Sequence, residues 1–212
     1  MAKMILVGDV NLMNVENAAV PFARVGEMMR DADLVFANLE CCLYAPPDGH
    51  AVEHEGFFAD PDIAALRGET DIVIASCHWG LGEEVLDYMT EIAHAAVDAG
   101  ADIVIGHGPH YSLPVEVYRG KPIFSGLGSF SFHTGHGGRR HGDWIGMMAE
   151  VEAERGGIAG ARFRFVRHND RNETVPRALA EEGPTLDRLT RRSAALRAQL
   201  VPEGDWVRLL GL

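Results

Sequence analysis

The stretch Ala101-Asp102-Ile103-Val104-Ile105-Gly106-His107-Gly108-Pro109-His110 decides the fold. Three consecutive apolar residues, all β-branched, read as a short strand covered on both faces, and the Gly-His-Gly-Pro-His that follows stops it in polar, turn-forming residues. The same grammar recurs upstream. Met4–Val7 runs into Gly8-Asp9, Leu34–Ala37 into Asn38-Leu39-Glu40, and Ile72–Ala75 into Ser76-Cys77-His78-Trp79-Gly80. Between these runs lie segments of helical period at Phe22–Met29, Ile63–Leu66 and Val85–Val97, where Val85, Tyr88, Met89, Ile92 and Ala96 fall on one face. Short apolar strands alternating with helices predict an α/β fold with a largely parallel sheet.

Beyond His110 the texture changes. Val115–Tyr118 and Pro122–Phe124 flank Arg119-Gly120-Lys121, and Ile145–Val151 and Ile158–Val166 flank Glu154-Arg155-Gly156-Gly157. Both read as antiparallel hairpins, so a parallel N-terminal half is followed by an antiparallel C-terminal half. Thr185–Leu200 reads as a helix with Leu186, Leu189, Leu196 and Leu200 on one stripe. Such a stripe either docks on its own domain or joins two copies as a homodimer. The expected division is one domain over residues 1–183, with a C-terminal helix and tail over 184–212.

Composition narrows the function. With 19 basic against 31 acidic side chains the formal charge is −12, which argues against nucleic acid or an anionic membrane as partner. Cys41, Cys42 and Cys77 form neither a disulfide framework nor a Cys-x-x-Cys pair. The opening residues carry no secretory pattern, and no run approaches the roughly 20 apolar residues of a membrane span. A cytoplasmic protein acting on a small-molecule or peptide substrate is the expectation.

Asp9, Asn11, Asn38, Glu40, His78, His107 and His110 collect at the carboxyl ends of the four strands, where open α/β sheets place their ligands. Carboxylates, imidazoles and amides are the donor set of hard to borderline divalent ions. One or two divalent ions (Mn, Zn, Fe, Ca or Mg) are therefore expected, held by Asp9, Glu40, His78, His107 and His110. Asn11 and Asn38 are candidate catalytic groups beside them. So is His54, from His50-Ala51-Val52-Glu53-His54, which reads either as an inverted zincin pattern or as a polar surface loop. Trp79 and Tyr111 directly follow ligand candidates and are candidate substrate-binding residues, although aromatics so placed also serve as core. Arg139 and Arg140, in a glycine- and histidine-rich loop over 133–143, are candidate clamps for an anionic substrate.

The order Gly8-Asp9, Asn38-Leu39-Glu40, His78-Trp79-Gly80, Gly106-His107-Gly108-Pro109-His110 and Tyr118 to Phe130 (Tyr-Arg-Gly-Lys-Pro-Ile-Phe-Ser-Gly-Leu-Gly-Ser-Phe) resembles the CapA-type poly-γ-glutamate capsule-biosynthesis branch of the calcineurin-like metallophosphoesterases. The resemblance covers residues 4–166 and implies a layered α/β sandwich. It further implies that Asp9, Glu40 and His110 hold one metal and Glu40, His78 and His107 a second, with Glu40 bridging. Two departures stand out. The family's Asn-Asn-His segment has no counterpart among the 37 residues 41–77, none of which is Asn, so the chain reads as a shortened member. Ser129 replaces the Asn of the closing motif. Three functions stay open: a metal-dependent hydrolase of phosphoester or amide bonds, a peptide- or amino-acid-modifying metalloenzyme such as an epimerase, and a non-catalytic binding relative.

Overall fold

The structure, a computed structural model, describes residues 2–11, 20–39, 72–132, 144–154 and 157–212, with the backbone alone for Asn11 and Leu39. The helix expected at Ile63–Leu66 lies outside the described residues. The others form β1 (Ala2–Asn11), α1 (Gly26–Arg30), β2 (Leu34–Leu39), β3 (Ile74–His78), α2 (Asp87–Asp98), β4 (Ile103–His107), β5 (Val115–Tyr118), β6 (Lys121–Phe124), β7 (Ser129–Phe132), β8 (Ile145–Glu154), β9 (Gly157–His168), β10 (Thr174–Pro176), a 3₁₀ turn (Leu179–Glu182), α3 (Gly183–Ala195), β11 (Gln199–Glu203) and β12 (Trp206–Leu210).

The α/β reading holds, but the parallel strands do not share one sheet. β1 and β2 pair in parallel inside an eight-stranded sheet of order β11-β12-β9-β8-β1-β2, with β7 and β10 pairing off its path. β3 and β4 pair in parallel inside a separate four-stranded sheet, β3-β4-β6-β5. The two sheets face each other. Met4 and Leu6 from β1, Met147, Ala149 and Val151 from β8, and Phe163 and Phe165 from β9 meet Ile103 and Ile105 from β4 in one buried cluster. The small sheet's other face, with Ala75, Cys77 and Val104, is covered by Met89, Ala93, Ala96 and Val97 of α2. The large sheet's other face, with Ile5, Val7 and Met148, packs around Val25 beside α1. Continuous apolar strands are what such burial on both faces requires, and β4 is buried along its whole length.

Both expected hairpins are present. At the first, Arg119 and Gly120 have φ of 51° and 73°, the pair of positive values that a two-residue hairpin with the right twist demands. The second joins β8 to β9 over ten register pairs.

The C-terminus departs from expectation. The helix stops at Ala195 instead of running to Leu200. Arg197 N–H bonds to the Ala194 carbonyl and Ala198 N–H to the Ser193 carbonyl, with Arg197 at φ 65°. That is the Schellman stop, which usually announces itself by a glycine; an arginine there hides it from a sequence reading. Residues 199–210 then form a hairpin whose β12 pairs with β9, so this tail is part of the large sheet. Leu186 and Leu189 pack on the chain's own core, and Ser193 Oγ accepts the Val115 N–H at 3.0 Å. Of the helix stripe, Leu186 and Leu189 thus pack within the chain, and Leu200 does so from β11.

Candidate functional site

A strand alternates its side chains, so the residues in phase with Ile5 and Val7 should face α1, and Asp9 is one of them. Instead Asp9 faces the small sheet. The cause is a slip in register: Leu6 pairs with Phe36 but Asp9 with Asn38, three steps along β1 against two along β2. This bulge reverses the phase, and Val10 rejoins Ile5 and Val7 on the far face. Phe36 and Asn38, two apart on β2, share the inner face, and the Phe36 ring lies 5.8 Å from the His107 imidazole. On β4, His107 follows Ile103 and Ile105 by strict alternation onto the same inter-sheet face.

Two glycines allow the strand ends to approach. A Cβ on Gly8 would lie 1.8 Å from the Gly128 carbonyl oxygen, and one on Gly106 would lie 2.0 Å from that of Ser125. The segment Ser125–Gly128 therefore crosses directly over both strand ends. It is fixed by Asp9 N–H on Gly128 O, Leu127 N–H on Gly106 O and Met147 N–H on Leu127 O. Each Gly precedes a site residue, Asp9 or His107, because the backbone that closes the site passes where a side chain would be.

Asp9 is fully buried and central. Its Oδ1 accepts the Asn38 amide at 2.8 Å and lies 3.5 Å from His107 Nδ1; its Oδ2 lies 3.2 Å from His110 Nδ1. Ser129 Oγ is also 3.2 Å from His110 Nδ1. His110 adopts φ 62°, and its ring stacks on Trp144 at 4.8 Å and contacts Phe132 at 4.5 Å. Burial pushes the Asp9 carboxyl upward, but the adjoining His107, His110 and Asn38 outweigh it and hold the group well below the usual carboxylate range. Three buried polar atoms remain unspent. Asp9 Oδ2 and both ring nitrogens of His107 have no hydrogen-bond partner among the described residues. Their close approaches are too long or too oblique to be bonds.

Bonds of about 2.0–2.2 Å to a common ion place neighbouring donors roughly 3.0–3.5 Å apart, which is the spacing of the Asp9–His107 and Asp9–His110 approaches. The donor types, their spacing and the unsatisfied atoms fit a divalent ion. Among the described residues no three side chains of His, Cys, Asp and Glu converge as one ligand group. Asp9 turns a different oxygen to each histidine.

His78 is the register partner of His107 across β3 and β4 and is exposed. A Cβ on Gly108 would come within 3.0 Å of His78 Nε2, so the His78 ring lies against the Gly108 turn. Trp79 is buried in the α2-side core, its indole N–H on the Ser125 carbonyl at 2.8 Å, which makes it a support of the crossing segment rather than a wall open to substrate. Tyr111 is half-buried, 6.1 Å from Trp144. Glu40, His54, Arg139 and Arg140 lie outside the described residues, as does the Asn11 side chain. Trp144 and Phe132, which hold His110, were not singled out from sequence. Their one signal was position, on either side of the glycine-rich loop.

Two facing sheets with an aspartate and histidines at opposed strand ends define an α/β protein of the metallophosphoesterase-like fold. Residues 57–134 match the family described as bacterial capsule synthesis protein PGA_cap. Over 77 residues, 35% of this chain and 20% of the relative, it is 43% identical to the PGA biosynthesis protein CapA of Bacillus subtilis. Over 68 residues, 31% and 18% of the two chains, it is 47% identical to a probable polyglutamine synthesis accessory protein of Mycobacterium tuberculosis. Over 71 residues, 32% and 17%, it is 39% identical to the capsule biosynthesis protein CapA of Bacillus anthracis. The matches span about a fifth of those relatives' length. The family match is narrower than the 4–166 read from sequence: His78, His107, His110 and Ser129 fall inside it, Asp9 and Asn38 outside. No helix among the described residues is long and apolar enough to cross a membrane.

Proposed function

We propose that the chain is a metal-dependent hydrolase of a phosphoester or amide bond, with Asp9, His107 and His110 at the heart of its ion site. One observation carries this reading: His107 is 2% exposed, and neither of its ring nitrogens is satisfied among the described residues. A buried imidazole left so is costly, by about 1–3 kcal/mol per unsatisfied group, unless a ligand completes it. A divalent ion in such a site supplies polarisation of a phosphoryl or acyl oxygen and acidifies water. The chain's own residues do the positioning. Asn38 fixes Asp9 Oδ1, while Ser129 and the Trp144 face hold the His110 ring. Glu40 and His78 are the further ligands in this reading.

The relatives carry names in PGA, polyglutamine and capsule biosynthesis, which favours an amide-linked, peptide-like substrate over a nucleotide. The missing Asn-Asn-His segment favours a second reading, a peptide- or amino-acid-modifying metalloenzyme, in which the same ions serve a different reaction. Metal analysis of protein purified without chelator, followed by turnover of an aryl phosphate and of γ-glutamyl amides, tests the proposal. The expected result is at least one ion per chain, metal-dependent turnover, and loss of both in His107→Gln. A wild-type stoichiometry near zero after incubation with Mn or Zn would sink it.

A further inference from the structure

A cavity of about 590 Å³ lies at the end of the small sheet away from Asp9 and His110. β6 runs parallel to β4 and β5 antiparallel to it, so Tyr118 at the end of β5, paired with Lys121, sits beside the strand starts. The Asp9–His110 site sits at the strand carboxyl ends. The cavity is lined by Thr90 and His94, one turn apart on α2, by Glu116, Tyr118 and Arg119 of the β5 hairpin, and by Arg197 just past α3.

Its chemistry is organised. His94 Nε2 is 2.8 Å from Glu116 Oε1, and Glu116 is buried; the His94 ring stacks on Tyr118 with centroids 3.8 Å apart and planes within 6°. The imidazole is therefore fixed at one nitrogen and one face, and its Nδ1 has no hydrogen bond among the described residues. Arg119 is held by Asp98 at 2.9 Å and lies over Tyr118 at 5.4 Å. The Arg197 guanidinium has no partner among the described residues. Asp98 balances Arg119 and the lining includes the Glu116 carboxylate, so Arg197 carries the one guanidinium of the lining without a counter-charge among the described residues.

Local backbone preference points the same way. Among the described residues four non-glycine positions have positive φ, and two of them are Arg119 and Arg197. One occupies the first central position of a hairpin turn and the other a Schellman stop, places where Gly, Asn or Asp is the unstrained choice. An arginine kept at both, on the rim of one cavity, breaks the local rule with no structural gain from Arg197 in view, and such breaks concentrate at functional positions.

We propose that this cavity binds a small molecule through an oxyanion, a carboxylate or a phosphate. Arg197 is its bidentate partner, and His94, whose Nε2–H donates to Glu116, donates Nδ1–H to the oxyanion as the doubly protonated imidazole, with Tyr118 backing the ring. The site is independent of the ion site and of the hydrolase reading. Glu116, engaged by His94, keeps the cavity from being a bare cationic patch and restricts where the anion sits.

Arg197→Gly gives a clean test, because glycine is the residue the turn prefers. Binding of inorganic phosphate and of succinate to the full chain is followed by calorimetry, with thermal melts of each variant alongside. The expected result is saturable binding of at least one probe, weakened at least tenfold in Arg197→Gly and in His94→Phe. The melting temperature of Arg197→Gly should be equal to or above that of wild type, and Asp9→Asn should bind the probe as wild type does. Phosphate without succinate, or the reverse, assigns the source of the oxyanion. No saturable binding of either probe, unchanged binding in Arg197→Gly, or a lowered melting temperature in that variant would each overturn the proposal.

Discussion

Asp9 and Glu182 are both buried, at 0% and 4% exposure, and both are held ionised, yet their neighbours treat them in opposite ways. Glu182 accepts Arg167 through both oxygens at 2.7 and 2.9 Å and Arg177 Nε at 3.0 Å. The bond from Arg167 is the largest influence on its carboxyl and keeps it below its ordinary range against the push of burial. For Asp9 burial is the largest influence, and only imidazoles and an amide oppose it. Glu182 has permanent cations and no unpaired oxygen; Asp9 has donors that can lose or share their protons and an oxygen without a hydrogen bond. A satisfied buried carboxylate closes a structure, whereas one left open awaits a ligand.

The widest separation between the two should come from removing each charge in turn. Asp9→Asn keeps the shape and the Asn38 contact but removes the anionic donor. Metal content should fall to background and turnover by about 10²–10⁴-fold, while the melting temperature moves by no more than a few degrees. A variant that keeps its metal and loses its fold would make Asp9 another Glu182.

Glu182→Gln should do the reverse. Both arginines lose a charge partner while staying partly exposed, at 29% and 32%, so the cost is about 2–4 kcal/mol, or roughly 5–12 °C in melting temperature. Metal per folded chain should not change. The same carboxylate sets an acid dependence. A depressed folded-state pKa gives stability that is present above the unfolded value, near 4.5, and is lost as pH falls through the lower folded value. Urea midpoints measured from pH 6 down to 3 should therefore drop less in Glu182→Gln than in wild type. Equal slopes would mean that other carboxylates carry the acid sensitivity.

The smallest effect tests how the open site is supported. Ser129→Ala removes the hydroxyl 3.2 Å from His110 Nδ1 and leaves every ligand in place. Metal affinity should weaken about tenfold, with the melting temperature nearly unchanged. A weakening as deep as that of Asp9→Asn would promote Ser129 from a positioning residue to a ligand.

Much of this site was legible because strand ends carry their own signals. A run of β-branched residues must be covered, the glycine after it admits a crossing backbone, and the polar residue beyond has nowhere to go but the sheet end. Asp9 and His107 follow from that logic, each preceded by its glycine, while Asn38 and His110 were read from their place at a strand end. Trp144 and Phe132 do not, since nothing in their local sequence distinguishes a ring that braces a histidine from a ring in the core. The end of α3 was also illegible, because Arg197 takes the position at which glycine would have marked it. The hairpin beyond it left a weak trace in Glu203-Gly204-Asp205, between the alternating Leu200 and Val207-Arg208-Leu209.

By itself the sequence determined the strands β1 to β6, β8 and β9, helix α2 and the start of α3, the two hairpins β5–β6 and β8–β9, and which residue types stand at the strand ends. These depend on periodicity and turn chemistry within a few residues. Tertiary structure alone decided that the parallel strands divide between two facing sheets, because strand pairing is chosen by which apolar faces can be buried together across long separations. It also decided that Asp9 faces the histidines. Alternation counted along β1 sends that side chain outward, and only the one-residue bulge against β2, stabilised by the segment crossing at Gly128, turns it into the space between the sheets.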